Sequence, residues 1–212
     1  MNSKRFFMCF LGVTVCAISV AFFKLAAFGV DPFQTFMSGI DSLIPISYGT
    51  LYIIACAVLL LFALVADRHY IGLATIINLT IFGYITQFSL DILTHIFPHP
   101  SLVVRIICLI IGIVAMCYAS AFYFVSDLGV SPYDAVALII ANTWKIGKFS
   151  YVRIISDFCC VIIGTVLYFV SYGTLSGITA VVGIGTIITA FFMGPLIEFF
   201  KVHCAEPFLH KN

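Results

Sequence analysis

The sequence predicts an all-α, polytopic membrane protein built from two related halves, and three observations carry that reading. Apolar residues make up 63% of the 212 and charged residues only 9%, with a mean hydropathy of +1.19; soluble domains carry about a quarter of charged residues. Charge-free stretches run over 6–23, 42–66, 70–90, 106–126 and 158–197. Each is close to the ~20 residues that cross a bilayer, and the last is long enough for two crossings. Finally, Gly29-Val30-Asp31-Pro32-Phe33 follows one long apolar run, and Gly129-Val130-Ser131-Pro132-Tyr133 follows another 100 residues later. A duplication in a membrane chain limits its topology and the places where a site can lie.

The first element is the apolar run after Lys4-Arg5. Its small residues Ala26-Ala27 give it the form of a signal peptide, but Gly12, Ala21 and Phe22 match Gly112, Ala121 and Phe122 at the offset of 100. It is therefore expected to be the first span. The turn that follows opens a short helix, because Asp31 and Ser131 are good N-caps and Pro32 and Pro132 stand where a missing amide proton is no loss. A helix over 32–43 reaches only about 18 Å, against a hydrocarbon core of about 30 Å. Neither it nor its counterpart over 132–143 crosses as a straight helix.

Ser47-Tyr48 opens the next span and corresponds to Ser150-Tyr151. The third span opens on Gly72-Leu73-Ala74-Thr75-Ile76-Ile77, matched by Gly183-Ile184-Gly185-Thr186-Ile187-Ile188, with Gly83 and Gln87 answered by Gly194 and Glu198. The offset has grown to 111, most of the insertion lying in the 171–182 connection. A single membrane domain, 1–212, thus holds repeat one at 6–94 and repeat two at 103–200.

If the short helices re-enter, each half crosses three times, an odd number, and the halves are inverted across the membrane plane. The alternative is eight spans with parallel repeats. In the inverted reading Lys4, Arg5, Arg68, Lys145, Lys148, Arg153, Lys201 and Lys211 share one side with both termini, which the positive-inside rule makes cytoplasmic. Lys24 and Arg105 dissent; the eight-span reading moves Arg105 to the cytoplasm but exports Arg68. Trp144 beside Lys145 suits an interface anchor in either case.

Several chemistries find no support. A net charge of +1, with Lys145 and Lys148 as the densest basic pair of the second turn region, gives no nucleic-acid signal. Eight cysteines show no CxxC spacing and read as small core hydrophobes, so neither metal nor cofactor is expected. No Ser-His-Asp order, HExxH helix, paired carboxylates or phosphate-binding glycine loop appears, and the chain is not expected to be an enzyme.

The candidate substrate site lies at the two short-helix starts, Asp31-Pro32-Phe33 and Ser131-Pro132-Tyr133, whose free amides and helix dipoles favour anionic or polar groups. Asp31 should weaken anion binding on its side and Ser131 should permit it. Thr75 with Asn78, and Thr186 with Thr189, place a polar pair on one face of each third span, either lining a path or joining helices. Lys24 either snorkels, pairs with Asp31, or faces the cavity as a counter-ion. Gly183, Ala190 and Gly194 read as a helix-packing stripe, and Arg153 with Asp157 as a local ion pair.

These features resemble the YczE/YyaS/YitT-type bacterial integral membrane proteins. The resemblance rests on Gly-Val-x-Pro-aromatic-x-x at 29–35 and 129–135, Ser-Tyr-Gly at 47–49, Gly-x-Gly-Thr-Ile-Ile at 183–188 and Gly194-Pro195, and it covers nearly the whole chain. The chain departs from the pattern at Ala74, which replaces the second glycine, and at Phe33, where family members often carry tryptophan. The resemblance implies a multi-pass protein of the bacterial cell (inner) membrane, with small-molecule export among the roles suggested for relatives. The function expected is secondary transport or export of a small molecule by alternating access between inverted repeats. A non-transporting partner or substrate-capture subunit is the alternative, and a passive channel the second. The partners expected are the lipid bilayer and an unidentified small molecule, with homo-oligomer formation left open.

Overall fold

The computed structural model describes residues 3–147, 149–174 and 176–210. Lys148 and Lys211, counted above among the topology charges, lie outside the described residues. Among the described residues the chain is helical throughout, without a strand. In order the helices are α1 (Ser3–Ala26), α2 (Pro32–Asp41), α3 (Tyr48–Ala66), α4 (Leu73–Ile96), α5 (Leu102–Val125), α6 (Pro132–Leu138), α7 (Phe149–Tyr172), α8 (Ile184–Phe200) and α9 (Glu206–His210). Six segments among the described residues, based on α1, α3, α4, α5, α7 and α8, are long and apolar enough to cross a membrane. At ten residues α2 spans about 15 Å, and α6 gains only a π turn over Ile139–Thr143. Both are too short to cross.

Capping residues start these helices where the sequence places them. The Asp31 carboxylate accepts from the Gln34 amide at 3.2 Å, the Ser131 hydroxyl from the Asp134 amide at 3.1 Å, and Ser47 from the Thr50 amide at 3.4 Å. Gly72 and Gly183 have no side chain to cap with, so Thr75 and Thr186 accept their amides instead, at 3.1 and 3.2 Å.

The core is centred on α1, which buries Met8, Cys9, Val13, Ala17, Val20 and Phe23. It packs antiparallel on α5 and makes reciprocal contacts. A Cβ at Gly12 would fall 2.8 Å from the Ala119 carbonyl oxygen and 2.9 Å from the Tyr123 Cβ; one at Gly112 would fall 3.1 Å from the Phe23 ring and 3.3 Å from the Ser19 carbonyl. Exchanging each residue for its counterpart 100 positions away in the other half turns one set of contacts into the other.

The two helix ends are finished alike as well. Arg105, at the start of α5, donates to the Ala26 and Ala27 carbonyls at 2.7 and 2.8 Å. Arg5, at the start of α1, donates to the Ser126 carbonyl and the Asp127 carboxylate, both at 3.3 Å. A cation at a helix C-terminus satisfies orphan carbonyls and complements the dipole. Arg105 thus has a structural post that its charge alone did not reveal.

Each short helix lies on the middle span of the other half. α2 packs along α7, and α6 along α3 through Ala135 and Ile139 against Ala63. The outer faces are apolar: Ile155, Phe158, Val166 and Val170 of α7 and Val58, Leu61 and Val65 of α3 are all exposed. That is the surface lipid requires and water would not tolerate at this extent.

A charged, aromatic cavity between two crossed clasps

After α1 the backbone turns left-handed at Ala27 (φ 51°) and Gly29 (φ 96°), and after α5 it does so at Asp127 (φ 54°) and Gly129 (φ 99°). This conformation lets each turn dock on the third span of the opposite half. In the first clasp the Val30 amide donates to the Val181 carbonyl at 3.2 Å and the Gly185 amide to the Phe28 carbonyl at 2.7 Å. In the second the Val130 amide donates to the Tyr70 carbonyl at 3.1 Å and the Ala74 amide to the Leu128 carbonyl at 2.8 Å. Thr75 adds a bond across the second clasp, donating to Val130 at 2.6 Å; across the first it is Thr35 of α2 that donates to Val181, at 3.1 Å, while Thr186 donates to the same carbonyl from its own segment at 3.3 Å. Because α1 and α5 are antiparallel, the clasps lie at opposite ends of the molecule.

Between the clasps is a cavity of about 860 Å³, onto which Asp31 and Phe33 open from α2 and Ser131, Tyr133 and Asp134 from α6. Glu198 and Lys201, an ion pair 3.3 Å apart at the C-terminal end of α8, also line it. Stacked rings form the wall. Phe33 stacks on Tyr133 at 4.7 Å and Tyr52 on Phe82 at 4.9 Å, and Phe33 meets Tyr52 edge-on at 6.1 Å. Such offset or edge contacts fix the ring planes beyond simple burial.

The charges form one network around Arg153. Its guanidinium donates to Asp134 and, at 3.3 Å, to Asp157, while lying 4.4 Å from the centre of the Tyr133 ring. Tyr133 donates its hydroxyl to Asp157 at 2.6 Å, and Ser131 donates to Asp134 at 2.7 Å. The pair Arg153/Asp157 is local, as its four-residue spacing implies, but the third member comes from α6 and all three line the cavity. Ser131 therefore leaves no open anion slot: its hydroxyl serves Asp134, so a carboxylate stands at the start of both short helices.

Of the residues singled out by sequence, Asp31, Phe33, Ser131, Tyr133, Asn78 and Thr189 line the cavity. Pro32 and Pro132 are buried in the first turns of α2 and α6. Thr75 and Thr186 lie in the clasps rather than on the cavity wall. Lys24 does neither of the things expected of it with Asp31 or the cavity: its ammonium sits 3.3 Å over the Tyr48 ring, and the Tyr48 hydroxyl donates to Gln34. Gly194 departs from the packing expectation, since a Cβ there would meet nothing within 4 Å, and with Ala190 it borders the cavity. Sequence reasoning passed over Tyr52, whose hydroxyl donates to Asn78 at 2.9 Å, and Phe82, Gln34 and Tyr123. Nothing in a chain with 22 Phe and 10 Tyr marks these rings out. Among the described residues no group of three or more His, Cys, Asp or Glu side chains is placed to hold a metal ion.

Comparison with known proteins agrees with the YyaS-type resemblance. The chain is 24% identical over 189 residues to an uncharacterized protein of Haemophilus influenzae, covering 89% of this chain and 79% of that one. It is 22% identical over 203 residues to the uncharacterized protein YyaS of Bacillus subtilis, covering 95% and 94%. No solved structure matches it. A family model matches residues 3–202, and the chain belongs to that family, the family of unknown function DUF6198.

Proposed function

We propose that this chain is a secondary transporter of a small molecule in the bacterial cell membrane, working by alternating access between two inverted repeats, 6–94 and 103–200. The observation that carries the reading is the pair of crossed clasps at opposite ends of one central cavity. Inversion is supported by the antiparallel packing of α1 on α5, which are equivalent by sequence, and by the Arg5 and Arg105 caps at opposite ends of that pair. A parallel duplication would pair equivalent helices parallel. Each half contributes one short helix start to the cavity, its turn to one clasp and the start of its third span to the other, so opening one clasp while the other holds would turn the cavity from one face to the other.

In this reading both termini are cytoplasmic and the short helices re-enter. Arg105 ceases to dissent, because it caps α1 rather than marking a loop. Reconstitution into proteoliposomes tests the proposal, with a panel of small solutes screened by currents on a solid-supported membrane. Saturable flux that responds to a proton or sodium gradient is expected. Absence of flux for every solute would favour a non-transporting capture or partner subunit, and non-saturating, gradient-independent flux a channel.

A further inference from the structure

We infer that the central cavity binds a small organic cation carrying apolar or aromatic groups; this rests on the transporter reading and names its substrate class. Four carboxylates line the cavity, Asp31, Asp134, Asp157 and Glu198, against two cations, Arg153 and Lys201. Lys201 is matched to Glu198 and Arg153 is shared between Asp134 and Asp157, so the interior keeps a formal negative excess. Asp31 has no ion-pair partner among the described residues, and the Lys24 ammonium is turned onto the Tyr48 ring, neither Lys24 nor Tyr48 lining the cavity. An excess of uncompensated charge in a low-dielectric enclosure is costly until an opposite charge enters.

The remaining walls say what kind of cation fits. The faces of Phe33, Tyr133, Tyr52 and Phe82 form a connected aromatic surface, and ring faces attract cations, most of all when water is excluded. A hydrated metal ion would gain little from such walls and finds no donor cluster among the described residues. Tyr123 also lines the cavity, and its buried hydroxyl, which neighbours the Ser131 backbone, makes no hydrogen bond of normal geometry among the described residues. The Tyr123 side chain is 5% exposed. A buried polar group left unpaired in the empty protein is a place for a ligand's polar atom. Anions are disfavoured, because each short-helix start already carries a carboxylate, with the Gln34 amide taken by Asp31 and the Asp134 amide by the Ser131 hydroxyl that Asp134 itself engages.

The test uses two probes of the same shape and opposite charge, tetraphenylphosphonium and tetraphenylborate, with the purified full chain in detergent and equilibrium binding as readout. Saturable phosphonium binding is expected, without competition from the borate. Asp31→Asn should weaken it at least tenfold while leaving the melting temperature in place, because asparagine caps a helix as well as aspartate does. Phe33→Leu, which keeps the charge and removes a ring face, should weaken it as well. Preference for the borate, absence of saturable phosphonium binding, or phosphonium binding unchanged in both variants overturns the inference. The two claims fail separately. Phosphonium binding without flux in proteoliposomes removes the transporter reading and keeps the cation site; flux of an anionic or neutral solute by a protein that ignores the phosphonium does the reverse.

Discussion

Gly29 and Gly194 are the same residue type in matching apolar surroundings, yet the structure gives them opposite duties. Gly29 needs φ 96° and presses its Cα against α8, where a Cβ would come within 2.5 Å of the Gly183 amide and the Thr186 hydroxyl. Gly29→Ala should therefore combine backbone strain with a clash in the clasp and destabilise the protein by about 2–4 kcal/mol. Gly194→Ala has open space beside it and should leave the melting temperature in detergent unchanged within about 0.5 kcal/mol. Equal effects of the two substitutions would contradict this assignment. The contrast also marks a limit of legibility at this scale. Gly-Val-x-Pro is readable as a turn because the proline and the N-cap follow it, whereas a glycine inside an apolar run reads as packing whether it touches a helix or borders a cavity. Arg153 is legible only in part for a related reason: its i,i+4 partner Asp157 is visible in sequence, but Asp134, from 19 residues earlier, is brought to it only by folding.

At the scale of elements, span limits, caps and the two short helices follow directly from sequence, since they depend on local hydropathy and local hydrogen bonding. The partners of those elements do not. Either short helix could have packed on its own half's middle span; instead α2 lies on α7, where a Cβ on Gly164 would fall 2.5 Å from the Thr35 carbonyl. Likewise the arginines at helix starts read as topology charges, when Arg105 holds the end of α1. Removing charged hydrogen bonds to buried carbonyls costs about 1.5–3 kcal/mol, so Arg105→Gln should lower stability by about that amount. Arg5→Gln should cost less, because its bonds are longer, 3.3 Å, and its side chain is 36% exposed. Thermal unfolding in one detergent, compared across the two variants, reads the difference; a larger loss at Arg5 would contradict the capping account.

For the whole molecule, the duplication read from one repeated turn becomes a closed set of reciprocal contacts: α1 with α5, each turn with the other half's third span, each short helix with the other half's middle span. The main buried cluster draws on both halves, so the repeats are interlocked rather than side by side. This arrangement, with one cavity at its centre, is what the proposed transport mechanism requires. Its most direct test is the side on which the ends of the two short helices emerge. Ile44 follows α2 and Ile146 follows α6, and both are exposed. Single cysteines placed there, in a chain whose eight native cysteines are replaced, can be labelled by a membrane-impermeant maleimide in right-side-out and inside-out vesicles. Inverted halves predict labelling of Ile44→Cys from the outside and of Ile146→Cys from the cytoplasmic side. Labelling of both from the same side would contradict inversion and, with it, alternating access between the two clasps.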